Sequence, residues 1–212
     1  MSSFSSVAIK KLLKRRNDAL IIMPFLDPKA IIEDKSNSID LRLGFEFITI
    51  RKGELATLDF EDLLEDLQLE ATIGKFYDRI YVRPGQKFVL HPRELVLGIT
   101  LEYIRLPLDV LAYVIGRSSW GRLGLIIATA TVIHPGFKGC ITLELVNHGD
   151  IPIELYPGCC ICQLVLHEVQ PPQKKPYEGK YSGWVGPTSP EFSKIYEDKD
   201  LRRWLPSSTK EL

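Results

Sequence analysis

From residue 79 the chain runs as a succession of short apolar segments, RIYVRPGQKFVLHPRELVLGITLEYIRLPLDVLAYVIG, broken about every ten residues by PG, HP and LP. Val, Ile, Leu and Tyr crowd these segments. Such spacing predicts a sandwich or barrel, because each strand turns back after crossing one sheet. CITLELVNHG and IPIELYPGCCICQLVLHEV continue the pattern, with NHGD as a tight turn between two strands.

Upstream, residues 6–18 set Val7, Ile9, Leu12 and Leu13 against lysines and arginines, which predicts a short amphipathic helix. Residues 21–28, with two prolines, read as extended, and SIDLRLGFEFITI (38–50) reads as a strand kinked at Gly44. The acidic stretch 54–73 reads as an excursion from the core, either a helix or a long surface loop. Past residue 169, QPPQKKPYEGKYSGWVGPTSPEF is too rich in Gly, Pro and Lys to build a core of its own. It is either a disordered tail or a lid that orders on a ligand. The expected organisation is one β domain over 1–190, including an arm at 170–190, followed by a tail at 191–212 with a helix near 191–205.

Lys plus Arg and Asp plus Glu both number 27, which argues against a nucleic-acid or membrane-surface partner. Of the cysteines, Cys159, Cys160 and Cys162 sit together in an apolar run and Cys140 lies apart, with no His at ligand spacing. They read as reduced core thiols rather than zinc ligands. The chain opens with no signal-like segment and has no run of about 18 apolar residues, so a soluble, cytoplasmic protein is expected.

Residues 116–144, GRSSWGRLGLIIATATVIHPGFKGCITLE, carry the chemistry. Arg117, Ser118, Ser119 and Arg122 bring forked cationic and hydroxyl donors to a loop, which suits phosphate oxygens. Glu144 is the single charged residue of the strand after the PGF turn. A carboxylate in an apolar strand is costly unless it is paired or used. Both outcomes stay open from the residues alone: a nucleotide site with one acid/base group, or a hydrogen-bonded turn with Glu144 paired to Arg122 or another base for stability.

Five ordered blocks resemble the dCTP deaminase branch of the dUTPase-like superfamily: SIDLRLG (38–44), FVLHPRELVLGITLEYIRLP (88–107), GRSSWGRLGL with HPGFKGCITLE, LYPGCCICQL, and KPYEGKY (175–181). The resemblance spans roughly residues 7–190. It implies a mainly β, distorted jelly-roll-like barrel of the dUTPase-like type, with a short N-terminal helix and a substrate-covering C-terminal arm. It implies a homotrimer with sites at subunit interfaces, and a pyrimidine deoxynucleoside triphosphate substrate carrying Mg²⁺ on its phosphates. Zinc is not expected; the H-x-E and P-C-x-x-C pattern of zinc deaminases is absent.

By the same resemblance, Glu144, Arg122 and Ser118 are catalytic, with Glu144 moving protons and Arg122 stabilising charge on the adduct. Arg117 and Ser119 contact phosphates. The main chain of Thr142 and Leu143 reads the cytosine edge. Gln163 matches a family glutamine, and Tyr177 and Lys180 match triphosphate-binding positions on the arm.

Three departures stand out. His134 replaces the family's Asp before the PG turn, the position that contacts the sugar 3′-hydroxyl and assists phosphate hydrolysis in dUTP-hydrolysing relatives. The loop 126–133 is about one residue short, lacks the family's histidine, and has Val132 where Arg or Phe is usual. Trp184 stands where the arm usually has a glutamine. Hydrolytic deamination of dCTP to dUTP is the first expectation. The alternatives are a dUTP diphosphatase or bifunctional enzyme giving dUMP, or a non-catalytic nucleotide-binding relative.

Overall fold

The computed structural model describes residues 3–26, 36–50, 77–128, 132–178 and 182–188. The chain divides into two compact units, and the first, Met1–Thr49 with Arg79–Thr188, carries nearly all of these residues. The second, Ile50–Asp78 with Ser189–Leu212, lies almost wholly outside them, as do the excursion expected at 54–73 and the helix expected at 191–205.

The first unit is mainly β. Its strands are β1 (Ile21–Met23), β2 (Ile39–Arg42), β3 (Glu46–Ile50), β4 (Tyr77–Tyr81), β5 (Phe88–Leu90), β6 (Leu95–Ile99), β7 (Tyr103–Arg105) and β8 (Val110–Gly116). They continue as β9 (Leu125–Ile127), β10 (Val132–Ile133), β11 (Lys138–Gly139), β12 (Thr142–Asn147), β13 (Ile153–Leu155) and β14 (Cys160–Glu168). A four-stranded sheet has the order β10-β8-β14-β2 and a five-stranded sheet the order β4-β3-β6-β12-β9. A three-stranded sheet β1-β7-β11 and the pair β13-β5 complete the framework. β14 runs antiparallel to both β8 and β2, and β12 to both β6 and β9.

Alternation along these strands fills one core. β12 buries Leu143 and Leu145; β14 buries Ile161, Cys162, Leu164 and Leu166; β2 buries Ile39 and Leu41. Phe47 stacks on Phe88 with ring centroids 4.6 Å apart. Each such side chain contributes about 1.5–3 kcal/mol on burial. Beneath the core's edge, Glu102 is 1% exposed. Its carboxylate accepts from the Arg42 backbone N–H at 2.8 Å and from Arg42 Nη1 at 3.2 Å. Burial pushes the Glu102 carboxyl up, and these Arg42 contacts offset part of that.

The N-terminal helix is shorter than its pattern. α1 spans Ser6–Leu13, buries Ile9 and Leu12, and is N-capped by the Ser5 hydroxyl. The expected continuation to 18 fails because Lys14, Arg15, Arg16 and Asn17 offer nothing apolar to bury. Beyond the helix, Arg15 donates to Asp109 at 2.7 Å, and Asp18 takes the Leu108 N–H at 2.7 Å with its own φ at 52°.

At Gly44 the expected kink is a full break, because β2 and β3 belong to different sheets. The Gly44 N–H reaches the Ile99 carbonyl at 2.7 Å. A Cβ there would lie 2.8 Å from the Ile99 side chain, so only glycine allows the crossing. The NHGD turn is organised by fully buried Asn147. Its Oδ1 accepts from Gly149 N, and its Nδ2 donates to the Leu90 and Ile151 carbonyls.

All four cysteines are free. Cys159 and Cys162 stand at C-x-x-C spacing, but Cys162 lies fully in the core while Cys159 is half-buried. Burial pushes the Cys140 thiol up to about 11, helped by Glu102 and Glu46. Among the described residues no group of three His, Cys, Asp or Glu could hold a metal ion. No helix among them is long and apolar enough to cross a membrane.

The arm builds no core of its own, as its composition requires, and its described residues are bonded through the main chain to neighbouring segments. Gln173 N–H donates to Leu108, Tyr177 N–H to Pro135 and Gly183 N–H to Lys138, while Trp184 accepts from Cys140 N–H. Main-chain bonds thus fasten the segment along β11 and the PGF turn.

Candidate functional site

β8 leads directly into the RSSW segment. Arg117 holds an extended backbone and caps α2 (Ser118–Gly121), a one-turn helix with no buried residue. The Trp120 indole N–H donates to the Cys160 carbonyl at 2.8 Å and pins the turn to β14. Ser118, Ser119 and Arg122 face outward. Of the glycines that follow, Gly124 has a structural cause. Gly124 has φ +92° and lies so close to Gly149 that a Cβ would sit 2.7 Å from its nitrogen, so the turn after α2 packs on the NHGD turn.

Arg117 is not idle. Its Nη1 lies 3.2 Å from Asp40 Oδ2, and Asp40 Oδ1 accepts from Gln163 Nε2 at 2.8 Å. Adjacent strands create this cluster: Gln163 of β14 is register partner of Asp40 on β2 and of Ile115 on β8, two residues before Arg117. Asp40 was not singled out in the sequence. The available signal was an acid at the outward position of an alternating strand, between buried Ile39 and Leu41.

Glu144 lies on β12 with Thr142 and Val146, on the half-open face opposite buried Leu143 and Leu145. Burial raises its carboxyl from the ordinary value, and a carboxyl is a group that can both take and give a proton. β9 pairs with β12 only from Leu145 to Asn147, and Ala128 N–H closes on the Glu144 carbonyl at 2.9 Å. Among the described residues that pairing stops short of Thr142 and Leu143, the two positions expected to use their main chain. The Leu143 side chain is in the core, so only its backbone can face a ligand. The Thr142 hydroxyl lies 3.3 Å from that of Thr188 at the end of the described arm.

His134, exposed after β10, stacks on Tyr177 with ring centroids 5.3 Å apart and 22° between planes. Phe137 backs the same ring at 6.4 Å. Gly136, with φ +78°, permits this closure, since a Cβ there would lie 2.4 Å from Pro176 Cα. Trp184 is 48% exposed, and its carbonyl rather than its indole serves the Cys140 bond. Lys180, and residues 129–131 of the shortened loop, lie outside the described residues.

The site residues therefore fall in three places: the α2 turn with Asp40 and Gln163, the open face of β12, and the His134–Tyr177 stack. A family model described as dCTP deaminase-like matches residues 3–169, which include all but the arm. The chain belongs to the dCTP deaminase-like family. A "dCTP deaminase, dUMP-forming" from Methanosphaera stadtmanae is 40% identical over 205 residues, covering 95% of this chain and 98% of the relative. A "dCTP deaminase" from Natronomonas pharaonis is 38% identical over 193 residues, covering 89% and 94%. The crystal structure of 2′-deoxycytidine 5′-triphosphate deaminase from Agrobacterium tumefaciens shares the fold, with a TM-score of 0.55 at 22% identity. That match covers 79% of this chain and 48% of that one, so this chain spans about half the length of that neighbour.

The α2 turn carries cationic and hydroxyl side chains, β12 carries one protonatable carboxyl, and His134 and Tyr177 form a pair of stacked rings.

Proposed function

We propose that the protein is a dCTP deaminase that removes the 4-amino group of dCTP hydrolytically, giving dUTP and ammonia. The observation that carries this reading is Glu144, the single acid of β12, whose carboxyl burial pushes up on a half-open face. Water adds to C4 as Glu144 takes one of its protons and delivers it to N3. The tetrahedral adduct then expels ammonia as Glu144 passes the second proton to the amino group. Arg122 stabilises charge on the adduct and Ser118 holds the attacking water. Arg117 and Ser119 serve the phosphates, joined by Tyr177 and Lys180 of the arm; Gln163, Thr142, Leu143 and His134 line the nucleoside.

Mg²⁺ enters on the triphosphate and neutralises part of its charge. The donors of the α2 turn, two guanidinium groups and two hydroxyls, fit the phosphate oxygens of such a complex rather than a bare cation. The assembly proposed is a homotrimer in the cytoplasm. Supporting it, the elements around α2 leave Leu123 64%, Ile126 45% and Ile115 45% exposed, an apolar rim that a neighbouring subunit would cover.

Glu144→Gln keeps the shape and removes the acid. Ammonia release from dCTP is expected to fall by about 10³-fold or more, with nucleotide affinity within a few-fold of the parent. Equal rates for the two proteins would remove Glu144 from the chemistry.

A second reading is supported by the dUMP-forming name of the Methanosphaera relative. In it, dUTP goes on to dUMP and pyrophosphate within the same site. His134 stands against it, because an imidazole cannot supply the fixed negative charge of the Asp it replaces. On the first reading His134→Asp is expected to gain pyrophosphate release; on the second the parent already makes it.

A further inference from the structure

We propose that Asp40 is a positioning residue for the anion-binding guanidinium of Arg117 and for the amide of Gln163. The inference rests on the reading of Arg117 as a phosphate contact.

Three adjacent strands place these groups in a row. Asp40 of β2 and Gln163 of β14 are register partners, and Gln163 is also partner to Ile115 of β8, which continues two residues later into Arg117. All are on the outward side: Asp40 and Gln163 are half-buried and Ile115 is exposed. The two oxygens of Asp40 are divided between two tasks, Oδ1 toward Gln163 Nε2 at 2.8 Å and Oδ2 toward Arg117 Nη1 at 3.2 Å.

The consequences follow from donor and acceptor chemistry. A carboxylate only accepts, so it fixes which end of the Gln163 amide faces it. The NH₂ is committed to Asp40 and the carbonyl Oε1 is kept for a donor from elsewhere. Arg117 makes no capping bond to α2, so nothing in its own helix orients the side chain. Asp40 occupies one edge of a forked five-donor group and leaves the others for a bidentate anion. The side chains of Arg117 and Asp40 are 34% and 36% exposed. A pair this open contributes little to folding. Its effect is on geometry: it shortens the search of a long flexible side chain before a phosphate arrives.

The test is a double-mutant cycle with Asp40→Asn and Arg117→Ala, read by KM and kcat for dCTP. Asp40→Asn is nearly isosteric and is expected to keep the parental thermal midpoint and assembly size. Its KM is expected to rise about tenfold, with kcat changed less than about threefold, the mark of lost ground-state positioning. In the Arg117→Ala background the same change is expected to raise KM clearly less than it does in the parent, because the part exerted through Arg117 is gone and only the part through Gln163 remains. Asp40→Glu, which restores the charge, is expected to recover part of the loss. An unchanged or lower KM for Asp40→Asn would overturn the inference, and so would effects that multiply across the cycle.

Calorimetric titration of all four proteins with inorganic tripolyphosphate separates this inference from the functional reading. Should the parent leave dCTP unaltered, the functional reading fails, while non-additive losses of tripolyphosphate affinity still support Asp40 as positioner. Parent protein that binds no tripolyphosphate would overturn the role given to Arg117, and this inference with it.

Discussion

At the scale of single residues, Glu144 ties stability to chemistry. Burial raises its carboxyl in the folded protein, so the folded state holds that proton more tightly than the unfolded chain does. Its contribution to stability is therefore most favourable below the unfolded carboxyl range, and is lost as pH rises through the unfolded and then the folded value. Glu144→Gln, which carries no charge at any pH, is expected to melt higher than the parent at pH 7 and equally near pH 3, by calorimetry. A lower melting point at pH 7 would mean that the contacts of the carboxylate outweigh the cost of burying its charge. The same direction of shift predicts an acid limb of the kcat/KM profile displaced upward from that of an ordinary carboxylate, and a limb at or below the ordinary value would contradict it. The positions at this scale were legible in the sequence as candidates: Glu144 as the lone acid of CITLELVN, on the half-open face of β12, and the RSS residues at an outward-facing turn. Asp40 was not legible, because its partners come from β8 and β14, far along the chain, and only strand register joins them.

Among the elements, the smallest depend on single anchors. α2 buries no residue and is held by the Trp120 indole on the Cys160 carbonyl. Trp120→Phe removes that bond at a cost of about 0.5–1.5 kcal/mol in stability, measured by denaturant unfolding. A proportionally larger fall in kcat/KM is expected, since the turn carries the donors. The arm depends on Gly136. Gly136→Ala adds a Cβ at a left-handed φ, where it meets Pro176 Cα at 2.4 Å. The residues after Gln170 are then expected to become sensitive to limited proteolysis and the KM for nucleotide to rise; unchanged cleavage would show that the arm's other bonds suffice. Glu102→Ala strands the Arg42 guanidinium, which is only 14% exposed. A loss of about 3–5 kcal/mol is expected, read as a lower denaturation midpoint. Strand positions were readable because β12 alternates along its whole length and β14 does so from Cys162 onward. The end of α1 was misjudged because the basic run Lys14–Arg16 continues the polar face of a helix without any apolar face to bury. Docking of the arm was invisible, since its bonds use main-chain groups that every sequence possesses.

For the whole molecule, the described site residues lie on one chain in three places, and the exposed rim of Leu123, Ile126 and Ile115 beside α2 is apolar. If neighbouring copies complete the site, Leu123→Arg with Ile126→Arg is expected to yield a smaller species by sedimentation and to abolish turnover together with it. Full activity from a monomer would end the interface reading. Overall β architecture was legible from the rhythm of apolar runs, whereas the partition of strands among four sheets was not, because breaks such as Gly44 redirect the chain without changing its local pattern. Purified protein is incubated with dCTP and Mg²⁺, and separately with dUTP, and the products are separated chromatographically. The expected products are dUTP and ammonia from dCTP, with dUTP itself left intact. Formation of dUMP and pyrophosphate would show that His134 serves where the family's Asp does, and tight binding with no product from either nucleotide would contradict the enzymatic account altogether.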